Sequence, residues 1–303
     1  MVKRELGKTG VQVSVIGAGD LADRTLPLGE CVATLQRAIS CGVTVIDTAP
    51  GYEDGFSEQV VGAAIQGRRD DLFVITKIDD FDRPLTVQLQ ESLERLKCRV
   101  VDGYVFHGLS DLEMYHHLNR PGGEFDELTD LKARGLVRFG GISSHHPDVL
   151  RQAISDGRCD IAMFPVGAFV DRRYIDETLP LCRARGVGSI CFKTFGAGKL
   201  VTDTEGYGRP VVQRPRGKLS TGGIDAPLSA TLLTVAECVH YTLTVNPDVA
   251  LLGMSFVNEQ KQAFAALESF VPLDATQMHD IEARAVLARA GKGPCWWNPD
   301  PNV

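Results

Sequence analysis

GVTVIDTAPGYEDG, residues 42–55, opens on a β-branched run that stops at Asp47 and carries Tyr52 on the loop that follows. Two later stretches have the same form: LFVITK at 72–77 stops at Lys77, and DGYVFH at 102–107 stops at His107. These polar ends stand about thirty residues apart, the length of one strand–helix unit. Residues that close successive parallel strands share one face of the sheet, where α/β barrels carry out chemistry. A carboxylate, a phenol, an ammonium and an imidazole are therefore expected at one rim.

Outward from these stretches the pattern alternates. Strands are predicted near 15–17, 43–47, 72–77, 102–107, 136–142, 160–164, 188–193 and 249–254. Helices are predicted near 29–41, 57–66, 86–97, 124–134, 147–155, 174–185, 228–243 and 258–269. Strict alternation of this kind favours an α/β fold with a closed (β/α)8 TIM barrel over an open sheet. Gly42, Gly135 and Gly186 follow helical runs where a left-handed cap is wanted. RELGKTGVQVS reads as an N-terminal β-hairpin turning at Lys8–Gly10 that plugs the barrel floor. A C-terminal helix near 275–290 and a turn-rich tail, GKGPCWWNPDPNV, complete a single domain over residues 1–303. The longest irregular stretch, 196–227, has the length of a functional loop.

A formal charge of −7 argues against nucleic acid, whose binders need a basic footprint. No apolar run reaches the length of a membrane helix, and MVKRELGKTG lacks the apolar core of a signal peptide. A cytoplasmic location is expected, with oligomeric state open. None of the eight cysteines pairs at CxxC spacing, so reduced core cysteines are expected rather than a metal site. The pairs His116–His117 and His145–His146 likewise lack a third ligand at metal spacing.

The four rim residues suit proton transfer to a carbonyl oxygen. A phenol is a weak acid, and an adjacent ammonium stabilises its anion and lowers its pKa. Lys77 would supply that charge, Asp47 would hold Lys77, and His107 would align the substrate oxygen. Tyr52 would then act as general acid in reduction and general base in oxidation. None of these groups carries a hydride, so a nicotinamide cofactor is required.

The chain resembles an aldo-keto reductase along nearly its whole length. LGKTGVQVSVIGAG resembles that family's opening hairpin and first strand, and GVTVIDTAPGYEDGFSEQVVGAAI its Asp–Tyr segment. VITKI and DGYVFHG resemble the lysine and histidine segments; VRFGGISSHHPDVL and SICFKTFGAGKL resemble the fifth- and seventh-strand regions. The resemblance implies NAD(P)H-dependent reduction of a small aldehyde, ketone or sugar, with Tyr52 as the acid. It places the nicotinamide carboxamide at Ser143 and Ser144, with Met163 where the family has a glutamine, and its ring on Phe192. The adenosine phosphate falls to Ser255 and to Gln260 or Lys261, and NADP(H) is expected over NAD(H).

Other features stay open. His145 could touch substrate or the carboxamide, and Trp296 and Trp297 could stack on a substrate or simply anchor the tail. The basic segment 209–218 could close over the cofactor phosphates or remain a solvated loop. GAGD at 17–20 lacks the full dinucleotide pattern, and its glycines are expected to let the chain pass close to the cofactor. Two alternatives compete: a Schiff-base lyase using Lys77 or Lys193, and a nucleotide-sensing protein with little turnover.

Overall fold

The structure, a computed structural model, describes residues 1–201, 232–292 and 294–299. It opens with an antiparallel hairpin, β1 (Lys3–Glu5) and β2 (Gln12–Ser14). Eight parallel strands follow: β3 (Ile16–Ala18), β4 (Val45–Asp47), β5 (Phe73–Ile78), β6 (Val101–Phe106), β7 (Val137–Ser143), β8 (Ile161–Pro165), β9 (Gly188–Phe192) and β10 (Val249–Leu252). They close into a barrel in which β10 pairs with β3, Ala250 opposite Ile16. Each lies within two residues of its expected start.

Helices cover the barrel: α1 (Leu28–Ser40), α2 (Phe56–Ala64), α3 (Leu85–Leu96), α4 (Leu112–Leu118), α5 (Glu124–Ala133), α6 (Pro147–Ser155), α7 (Leu179–Arg185), α8 (Val235–Val245), α9 (Val257–Glu268) and α10 (Ala275–Arg289). The three predicted capping glycines, Gly42, Gly135 and Gly186, all have φ between +71° and +96°.

Three details depart from expectation. Helix α4 lies where no helix is predicted; it is started by Asp111, whose carboxylate accepts from the Met114 N–H at 2.6 Å. The helix expected over 174–185 begins as a single wide turn, Tyr174–Thr178, before α7. Pro180 explains the break, because it offers no N–H to the preceding turn. The helix expected over 228–243 starts at Val235, behind a reciprocal cap in which Glu237 N–H donates to Thr234 Oγ1 at 3.1 Å and Thr234 N–H to Glu237 Oε2 at 2.8 Å. Its first expected residues, 228–231, and segment 209–218 lie outside the described residues. Among the described residues no helix is long and apolar enough to cross a membrane.

The barrel interior is one apolar cluster that includes Val45, Phe73, Ile75, Val105, Ile161, Met163, Ile190, Val249 and Leu251. Leu6 and Val13 of the hairpin segment belong to the same cluster. Gly7 packs against the backbone of Gly188, the first residue of β9, so the hairpin seals the N-terminal end as expected. Alternate strand residues face the same side. Two steps beyond Val45, Ile75 and Val105 come Asp47, Lys77 and His107, so strand geometry alone aims all three into the open end.

Candidate functional site

At that end, Lys77 is 1% exposed and Asp47 6%. The Lys77 ammonium donates to Asp47 Oδ1 at 2.7 Å, to the Thr48 carbonyl at 2.9 Å and to Tyr52 Oη at 3.1 Å. An ammonium has three protons, and all three are taken. Burial works against the charge, yet Asp47 and Tyr52 hold the ammonium above its ordinary range. A saturated ammonium is the wrong form for a Schiff-base nucleophile. Tyr52 Oη accepts from Lys77 and stands 3.5 Å from His107 Nε2, with the rings edge-on at 5.4 Å.

The expected lowering of the Tyr52 pKa does not occur. Burial pushes the phenol up to about 12; Lys77 pulls the other way and Asp47 adds to the rise. At neutral pH the tyrosine therefore keeps its proton, the form a general acid needs.

The loop carrying Tyr52 is built under strain. Glu53 and Asp54 have φ of 52° and 50°. Such positions cost about 1–3 kcal/mol each for residues with a Cβ. The following helix α2 repays this with anchors: buried Glu58 accepts from Thr76 Oγ1 at 2.5 Å and from Arg95 Nε at 2.5 Å.

Two carboxylates escaped the sequence reading. Asp79 accepts from His107 Nδ1 and, through its other oxygen, from the Gly51 N–H. It ties the imidazole to the residue before Tyr52. Burial would raise its pKa, but the hydrogen bond from His107 carries it below the usual range. Asp20 follows β3; its Oδ1 accepts from Ser57 Oγ at 2.8 Å and the Ala22 N–H at 3.1 Å. Its Oδ2 is buried without a partner, and burial pushes this carboxyl up to about 6.

The expected cofactor residues divide. Ser143 and Ser144 are buried where β7 ends, Met163 lies inside the barrel, and Phe192 is half-buried at the end of β9. The Ser143 hydroxyl and the Phe192 face, both at strand ends of the mouth, fit a nicotinamide; Ser144 Oγ already accepts from the His146 N–H at 3.1 Å, and the Met163 thioether offers no donor. Ser255 lies between β10 and the start of α9, where a helix N-terminus favours phosphate. The Glu259 side chain already accepts there from the Phe256 N–H at 3.2 Å. Gln260 is turned inward, donating to the Thr34 carbonyl at 3.0 Å and the Met254 carbonyl at 3.2 Å. Exposed Lys261 is left as the basic group of this turn.

The tail tryptophans also divide. Trp297 is fully buried, with its indole N–H donating to the Phe169 carbonyl at 3.2 Å and its own carbonyl accepting from Tyr174 Oη at 3.1 Å. Trp296 is 52% exposed and packs edge-on against His145 at 4.4 Å. His145 is 5.1 Å from the Phe192 ring.

A profile of the Aldo/keto reductase family matches residues 15–285. This chain belongs to the aldo/keto reductase family. It is 31% identical over 213 residues to "Uncharacterized oxidoreductase YqkF" of Bacillus subtilis (strain 168), a match covering 66% of this chain and 67% of that one. It is 27% identical to "L-galactose dehydrogenase" of Arabidopsis thaliana, covering 94% and 93%. Among solved structures it is similar to aldo-keto reductase AKR11C1 from Bacillus halodurans (holo form), with TM-score 0.73 and 25% identity over 94% of this chain and 96% of that one. This aldo/keto reductase is an oxidoreductase by family, and its barrel mouth holds the four sequence-predicted rim residues together.

Proposed function

We propose that this aldo/keto reductase interconverts a small carbonyl compound (an aldehyde, ketone or sugar) and its alcohol, with Tyr52 as the proton donor and acceptor. One observation carries the reading: Tyr52 Oη lies within reach of both Lys77 Nζ and His107 Nε2. A bound nicotinamide supplies the hydride. Phe192, Ser143 and Ser144 would hold its ring end, and Ser255 and Lys261 its adenosine phosphate. The cofactor is read as NADP(H) on the strength of Lys261.

Each side chain has a part in moving one proton. Tyr52 accepts a hydrogen bond from Lys77, so its own O–H is left for the carbonyl oxygen. Burial keeps that proton in place until the oxygen gains negative charge. Lys77 then faces the phenolate, and its ammonium stabilises the anion formed. His107, gripped by Asp79, lines the other side of the same oxygen. The similarity to a sugar dehydrogenase supports sugars within the substrate class.

Tyr52→Phe tests the reading. The ring stays and the proton goes, so nicotinamide affinity should persist while carbonyl reduction falls about 10²–10⁴-fold. A variant retaining full turnover would remove Tyr52 as the acid. Tight NADPH binding without reduction of any carbonyl by the unaltered protein would favour the nucleotide-sensing alternative.

A further inference from the structure

Among the described residues, the reaction proposed above leaves the Lys193 ammonium at the mouth unused. Lys193 follows Phe192 at the end of β9, with its backbone at φ 75°, outside the range side chains prefer. Its ammonium lies 5.6 Å from the Phe192 ring centre, 4.7 Å from Trp296 and 5.2 Å from Trp297. Among the described residues it has no carboxylate partner and makes no hydrogen bond. Next to it Thr194 keeps Oγ1 buried without a partner. Ring faces attract an ammonium but do not replace its lost water. Burial accordingly pushes Lys193 down to about 8. Among the described residues, a cation held in that way lacks an anion.

The surroundings say which molecule would bring one. The edge-on pair Tyr52–His107 faces the carbonyl oxygen, and His145 feels the charge of both Lys193 and His107. Burial first, then Lys193 and His107, push His145 down to about 3, so it stays neutral and offers no rival charge. His145 and Lys193 share two neighbours, the Phe192 ring and the Trp296 indole. A molecule whose carbonyl rests on Tyr52 and which runs past His145 meets the Lys193 ammonium.

We propose that Lys193 is a specificity-determining residue that binds a carboxylate on the carbonyl substrate, making aldehydo- or keto-acids the preferred class. This rests on the carbonyl–alcohol reading above.

Succinic semialdehyde and butanal share a carbon chain and differ by the carboxylate. Comparing kcat/KM for the two in the unaltered enzyme, Lys193→Met and Lys193→Arg gives the test. The unaltered enzyme should favour the acid by about ten-fold or more, the scale of a charged hydrogen bond. Lys193→Met should lose that preference through KM, and Lys193→Arg should keep most of it. A second readout needs no turnover. Trp296 and Trp297 are the two tryptophans of the chain and both touch Lys193. Succinate should shift their fluorescence saturably in the unaltered and Arg proteins and not in the Met protein. A preference that survives Lys193→Met overturns the proposal. So does a ten-fold loss of NADPH affinity in Lys193→Met with the preference intact, which would give Lys193 to a cofactor phosphate. If neither aldehyde is turned over, the carbonyl reading has failed, and the succinate titration alone decides the assignment of Lys193.

Discussion

Asp79→Asn is the sharpest probe of how the site is held. The carboxylate accepts from two donors at once, His107 Nδ1 and the Gly51 N–H. An asparagine offers one acceptor and turns an NH2 toward the other donor. One charge-assisted hydrogen bond is therefore lost outright, worth roughly 1.5–3 kcal/mol. If that energy serves to fix the imidazole against the reacting oxygen, kcat/KM should fall about 10- to 100-fold, at about 1.4 kcal/mol per factor of ten. The assay is a double-mutant cycle with His107→Ala, read as kcat/KM for one carbonyl substrate. With the imidazole already gone, Asp79→Asn should cost less than about three-fold, because coupled residues are non-additive. An undiminished penalty in the His107→Ala background would show that Asp79 acts through the Tyr52 loop instead, and the argument for a held imidazole would be lost.

Further outcomes follow from the same geometry. Lys77→Met strands Asp47 in a dry site and should cost about 3–5 kcal/mol in urea unfolding; adding Asp47→Asn should return part of that stability, and no return would mean the pair is not the cause. Asp20 has a folded pKa raised from 3.8 to about 6, so its contribution to stability is present at low pH and lost as pH rises through that interval. Stability of Asp20→Asn should lack this decline; an identical pH slope would contradict the assignment. Lys261→Ala should weaken NADPH binding and leave NADH binding unchanged, and an equal effect on both would remove Lys261 from the 2′-phosphate. Trp297→Ala empties a fully enclosed site and should cost about 3–5 kcal/mol by thermal unfolding; a loss under 1 kcal/mol would show the tail is not anchored there.

The barrel and the rim residues were legible because both are local patterns. Alternating side chains and a repeat of about thirty residues place Asp47, Lys77 and His107 on one side of three neighbouring strands. Asp79 was not legible: it opens DDFDRP, which reads as turn chemistry, and its partners are 28 residues away on either side. Asp20 was hidden by the glycines before it. The split between Trp296 and Trp297 was invisible for a related reason. It depends on the Phe169 carbonyl and Tyr174, more than 120 positions back along the chain. The direction of the Tyr52 shift was misjudged because charge spacing can be read from sequence while the depth of burial cannot.

The pairing of Ala250 with Ile16 also has a cost during synthesis. The earliest barrel strand waits for a neighbour encoded 234 positions later, so a growing polypeptide leaves the ribosome as an arc with an unpaired margin at each end. Exposed strand margins invite pairing with other chains. The seam between first and last strands is therefore where a helper protein would be needed most, and where a truncated product would first aggregate.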